Sequence, residues 1–188
     1  MACLGTLKGI NSSCAGNMGG IQELYIADFD LITVTPGYDS VSAASPTTVS
    51  AITGTSEAKF YTYKLENEVG SATSTLTKGS GGVHYYTHEI NVQFSKMDPD
   101  KSLELQAISK GQVAAVTKDN NGEYWYYGAD RYLSGEDTVA QSGQGFDDLN
   151  GYTSVLRGRS GYMPLALSGD ALTSFLSMVE AAPVDAGQ

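Results

Sequence analysis

From Val83 to Ser95 the sequence reads as one long strand, with Ile90, Val92 and Phe94 alternating against Glu89, Asn91, Gln93 and Ser95. A period of two places each set on its own face of an extended strand, one buried and one wet. At about 3.3 Å per residue the run would reach roughly 40 Å, about twice the usual strand length. Such a length suits a barrel or a sheet shared between chains better than a small sandwich.

Other segments extend the β pattern. Ile21 to Ala27 reads as a first strand ended by Asp28 to Asp30. Lys59 to Leu65 places Tyr61, Tyr63 and Leu65 on one face and Phe60, Thr62 and Lys64 on the other, and Ser71 to Lys78 is a Thr/Ser strand. With Val83–Ser95 these form a three-stranded meander, turning first at Glu66 to Gly70. Asp98 as N-cap, Pro99 at the first helical position and Gly111 as the stop predict one short helix. Val113 to Thr117 and Tyr124 to Tyr127 flank Asp119-Asn120-Asn121-Gly122, where Asn-Gly supplies the positive φ of a tight hairpin. Gly151 to Arg157 is a last strand, and Ala171 to Glu180 an amphipathic helix or an apolar arm.

Between these elements, Thr35 to Ser50 is rich in Pro, Ser, Thr and Gly and keeps no periodicity, so it reads as a long loop or arm. Gly135 to Gly145 is Gly/Ser-rich in the same way. The expected fold is mainly β, a two-sheet sandwich or barrel with one flanking helix. With 188 residues and a hydrophobic fraction of 41%, the chain fits a single domain over 1–188. An N-terminal arm over 1–19, the loop or arm over 35–50 and a flexible tail over 181–188 would extend from it.

Charge and composition narrow the function. A formal charge of −10 repels a phosphate backbone, which argues against sequence-specific nucleic-acid binding. Twelve tyrosines against five phenylalanines suit half-buried strands and subunit contacts. Cys3 and Cys14 form neither a disulfide framework nor a zinc spacing and read as reduced thiols, with a disulfide between them as the alternative. The start lacks a charged and then apolar leader pattern, and no 18-residue apolar stretch occurs, so a soluble protein made in a cytoplasm, with no membrane partner, is expected.

No reaction chemistry emerges from the motifs. His84 and His88 have the spacing of a zinc-protease helix, but four positions along a strand separate them by about 13 Å, too far to share one ion. Both read as partly exposed strand histidines. Gly158-Arg159-Ser160-Gly161 misses the nucleophile-elbow spacing, and the glycine-rich stretches lack a phosphate-loop pattern. Asp147 and Asp148 read as solvated surface charge, and Asp98-x-Asp100-x-Ser102 reads as a helix cap rather than a calcium loop. No catalytic, cofactor-binding or metal-ligating residue is assigned, and an enzyme is not expected. In Tyr124-Trp125-Tyr126-Tyr127 alternate residues face opposite ways, so both faces must be covered. The core would cover one, and a neighbouring subunit would meet Trp125 and Tyr127. A stacking platform for a sugar, as in a carbohydrate-binding module, is the competing interpretation.

Several stretches carry a resemblance to a known family. They are Gly19 to Ala27; Ala51-Ile52-Thr53 leading to Lys59-Phe60-Tyr61-Thr62-Tyr63; Gln93 to Met97; Asp119 to Gly128; and Asp147 to Thr153. Over roughly Gly19 to Leu167 the chain resembles the tail-tube, or major tail, proteins of tailed bacteriophages, including phages of gut Bacteroides-like bacteria. The resemblance implies a virion structural protein with a flanked β-sandwich, assembled into stacked hexameric rings whose inner strands close one barrel for DNA passage. The partners it implies are copies of itself, other tail proteins and passing DNA. A shared barrel would pair the long strand edges that otherwise invite aggregation. On this view Tyr61, Tyr63, Thr73, Thr75, Glu89, Asn91 and Gln93 lie on ring and lumen strands. The 35–50 arm and both termini bridge rings, and proline at Asn91 blocks polymerisation. A capsid decoration or head–tail connector protein is the alternative within the same class.

Overall fold

The computed structural model describes residues 16–38 and 45–181. Along the chain come β1 (Ile21–Asp28), a 3-10 turn (Phe29–Leu31), β2 (Ile32–Gly37), β3 (Thr48–Gly54), β4 (Phe60–Lys64), β5 (Ser71–Lys78) and β6 (His84–Ser95). Then follow α1 (Pro99–Lys110), β7 (Val113–Asp119), β8 (Tyr124–Tyr127), β9 (Ser134–Gln141), β10 (Gly151–Ser160), β11 (Leu165–Leu167), α2 (Gly169–Ser177) and β12 (Val179–Glu180). The fold is mainly β and consists of two sheets. The larger has the order β12-β4-β1-β7-β8-β11-β3-β2, the smaller β5-β6-β10-β9, and neither closes into a barrel.

Strands β1, β7 and β8 explain why two layers form. Tyr25, Ala27, Ala114, Val116 and Tyr126 face a core shared with α2, whereas Leu24, Ile26, Val113, Ala115 and Tyr127 face a second core under the smaller sheet. A sheet apolar on both faces must be covered on both. Helix α2 supplies one cover through Phe175, which is fully buried and meets Phe60, Tyr25 and Tyr124 at centroid distances of 4.9, 5.2 and 5.9 Å. The smaller sheet and α1 supply the other with Ile90, Val92, Leu156, Leu105 and Ile108.

Phe60 also undoes the expected meander. It is fully buried against α2, which requires β4 to join the larger sheet, where it pairs antiparallel with β1. Of the three expected meander strands, only β5 and β6 pair with each other. The stretch read as a loop over 35–50 is strand at both ends, since β2 runs through Gly37 and β3 begins at Thr48. Pro36 fits there because β2 is an edge strand whose register shifts between Thr35 and Pro36. The middle of that arm, 39–44, lies outside the described residues, as do 1–15 and 182–188.

The Gly/Ser-rich stretch after Gly135 contains β9, an edge strand lying against α1. A Cβ at Gly135 would stand 2.7 Å from the Ser109 Cα, so glycine permits that approach. Helix α1 follows its predicted signals, with the Asp98 carboxylate accepting from the Asp100 amide at 2.9 Å and the Gly111 amide donating to Ala107. Helix α2 stops at Ser177, and Val179–Glu180 instead adds a short parallel strand beside β4.

The Asn-Gly hairpin is present with a longer loop. Gly122 alone takes a left-handed φ, 89°, and the Gly122 and Asp119 amides close the turn at 3.1 and 3.0 Å. The same tip pins the end of the expected N-terminal arm. Asn120 Nδ2 donates to the Gly19 carbonyl at 2.6 Å, while the Asn121 side chain accepts from the Met18 amide and donates to its carbonyl.

Candidate assembly surface

Because Ile90 and Val92 point into the core, the odd-numbered residues of β6 face outward. Register carries that parity across the smaller sheet: Thr73 lies opposite Glu89, Glu89 opposite Arg157, Asn91 opposite Val155, and Val155 opposite Asp137. Thr73, Thr75, Glu89, Asn91 and Gln93 therefore share one outward face with Thr153, Val155, Arg157, Asp137 and Val139.

The other two expected lumen residues are elsewhere. Tyr61 and Tyr63 lie on β4 in the larger sheet; Tyr61 is half-exposed, and the Tyr63 ring packs 6.1 Å from Phe94 at the mouth of the second core. Trp125 and Tyr127 turn toward that core as well. Tyr127 is buried 5.5 Å from the His88 ring, and the half-buried Trp125 donates its indole N–H to Asp119 at 3.3 Å. The cover expected from a neighbouring subunit comes from the chain's own smaller sheet, because a four-stranded layer already spans this face.

Ion pairs tie the outward face together. Arg157 Nη2 stands 2.6 Å from Glu89 Oε1, and its Nη1 pairs with Glu136. The Arg159 guanidinium lies over the Tyr85 ring at 5.3 Å. Both cations of β10 are thus engaged locally, and the rest of the face is largely threonine hydroxyl and side-chain amide.

Beneath it, His88 departs from the partly exposed state expected of it and is fully buried. Its Nδ1 meets Ser74 Oγ at 2.6 Å, and Nε2 has no side-chain partner among the described residues. Burial pushes its pKa below the ordinary 6.5, partly opposed by Asp130. The serine–histidine contact resembles the first two members of a catalytic triad, but it uses the wrong nitrogen and the imidazole is sealed from solvent. His84 is exposed.

Asp148, weighed from sequence as surface charge, braces its own loop. Its carboxylate accepts from the Gln144 and Gly145 amides at 2.8 and 2.7 Å, and these bonds hold its pKa below the usual range. Among the described residues no group of three or more His, Cys, Asp or Glu is arranged to hold a metal ion, and no helix is long and apolar enough to cross a membrane.

The outer edges of β5 and β9 form no ladder with another strand among the described residues. Each is 8 residues long, roughly 26 Å of backbone donors and acceptors at about 3.3 Å per residue. Sequence reasoning missed the second edge, because β9 offers only Thr138 and Val139 as strong β-formers amid Ser, Gly and acidic residues. No protein-family model, curated protein or solved structure matches the chain.

Proposed function

We propose that the chain is a virion tail-tube subunit whose smaller sheet continues from copy to copy into a ring, with rings stacked into a conduit for DNA. The observation that carries this is the smaller sheet itself: four strands, a polar outward face and two edges left open among the described residues. Its strands alternate in direction, since β5–β6, β6–β10 and β10–β9 are all antiparallel. With an even number of alternating strands, a rotated copy brings its β5 antiparallel to β9, so the ladder repeats at every junction and no edge remains.

Six copies would bring about 24 strands; at a spacing of about 4.8 Å and a tilt near 40° they enclose a cylinder roughly 45–50 Å across. That bore is wide enough for a duplex even after side chains fill part of it. A wall rich in threonine, asparagine and glutamine, in which Arg157 is paired with Glu89 and Glu136 and Arg159 lies over Tyr85, offers passing phosphates few cations to bind.

Electron microscopy of the purified protein, with sedimentation velocity, tests the proposal. Rings and tubes are expected. A species that stays monomeric at high concentration would overturn the assignment, and closed rings that never stack would favour a connector or decoration role.

A further inference from the structure

The loop over 142–150 joins β9 to β10 at one end of the smaller sheet and is braced from within. Asp148 takes two amides of the loop, its own amide donates to the Gly145 carbonyl at 3.3 Å, and Gly143 adopts a φ of 69°. At the tip Phe146 is fully exposed, beside the exposed Asp147. An aromatic ring held in water on a loop whose backbone is already braced leaves little backbone freedom to lose on binding, which is the property of an interface anchor.

At the other end of the same sheet, the start of β9 and the close of β10 frame a cleft of about 790 Å³. Its walls include Phe29 and Tyr132, packed edge to face at 6.1 Å, and Arg131. Arg157 and Arg159, which also line it, are engaged by the carboxylates and the ring already described. Arg131 is exposed and forms no ion pair among the described residues. Asp130, which also lines the cleft, is taken up by the Ser160 hydroxyl and the Gly161 amide, so the cleft offers aromatic surface next to an available cation, on a chain whose net charge is −10.

We propose that Phe146 and Asp147 of one copy seat in this cleft on a second copy, the ring against Phe29 and Tyr132 and the carboxylate on Arg131. The aromatic and charge complementarity favours this occupant over an unrelated ligand. Anchor and cleft stand at opposite ends of one sheet, so the contact is head-to-tail and, translated along the strands, repeats without closing. It deepens the tube assignment by naming the contact between successive rings, and it rests on that assignment for the rings themselves.

Site-directed cross-linking tests it in full-length chains carrying Cys3→Ser and Cys14→Ser. Chains with Phe146→Cys are mixed with chains with Tyr132→Cys, oxidised, and the linked peptides identified by mass spectrometry. A 146–132 cross-link is expected, lost when Arg131→Glu is added to the Tyr132→Cys chain and regained when Asp147→Arg is then added to the Phe146→Cys chain. Absence of the 146–132 link, or 146–146 links in its place, would overturn the contact even if microscopy shows tubes. The 146–132 link in open filaments without rings would sustain the contact while removing the tube assignment. Circular dichroism confirms that each variant is folded, as expected for substitutions at exposed positions.

Discussion

Glu89 and Arg157 face each other across β6 and β10, Oε1 to Nη2 at 2.6 Å, at the centre of a sheet whose two outer strands pair with no further strand among the described residues. Glu136, from β9, reaches the same guanidinium, so one cation spans three of the four strands. Replacing Arg157 with Met leaves two carboxylates near each other on that face. The expected result is a lower melting temperature in dilute buffer, with a deficit that narrows toward 1 M salt, where the screening length falls to about 3 Å. Thermal melts across a salt series check it; a deficit independent of salt would assign the effect to packing.

The free edge of β9 gives a cleaner test of assembly than the centre of the sheet. Asn91 is paired on both sides, to Ser71 and to Val155, so proline there breaks the ladder within the subunit and loses folding together with polymerisation. Val139 is exposed on the edge strand instead. Val139→Lys should change monomer stability by no more than about 0.5 kcal/mol, the usual range for a surface site, and abolish rings. Urea denaturation and sedimentation velocity on the same sample read the two effects separately.

Phe175 holds the larger sheet to α2. With no exposed surface and three aromatic neighbours, Phe175→Ala should cost about 3–5 kcal/mol of unfolding free energy. Denaturant unfolding measures this; a cost under about 1 kcal/mol would mean that the helix is not needed to close that core.

His88 makes the fold sensitive to mild acid. Its folded pKa is depressed, so below the unfolded value near 6.5 the unfolded chain binds a proton that the folded chain resists. Stability is full above that pH and falls as pH drops toward the folded pKa, by at most about 1.4 kcal/mol per unit. His88→Gln should flatten this segment of the stability–pH curve, as read by denaturant midpoints between pH 7 and 5. An unchanged slope would place the titration on other groups.

Much of the architecture was legible one segment at a time. The alternation in β6 announced a strand with one wet face, Asp98-Pro99 and Gly111 bounded α1, and Asn121-Gly122 marked a hairpin. These signals are local, set by backbone sterics and by side-chain direction along an extended or helical chain. Five of the proposed lumen residues share a face for the same reason: once Ile90 and Val92 are buried, parity and antiparallel pairing place the rest.

Pairing between distant segments could not be obtained that way. Tyr61 and Tyr63 have the same alternation as β6, yet β4 sits in the other sheet, because Phe60 finds its cavity only beside Phe175, more than a hundred residues later. Trp125 and Tyr127 were correctly assigned a second cover, but which surface provides it depends on where β6 and β10 come to rest. His88 is buried and His84 exposed although both have the same parity, since only one lies under Ser74 and beside Tyr127. The sequence by itself determined which segments extend, which coil and which faces must be dry. Tertiary structure decided which dry faces meet, because apolar burial is non-directional and any exposed hydrophobic stripe satisfies another until volume and register choose between them.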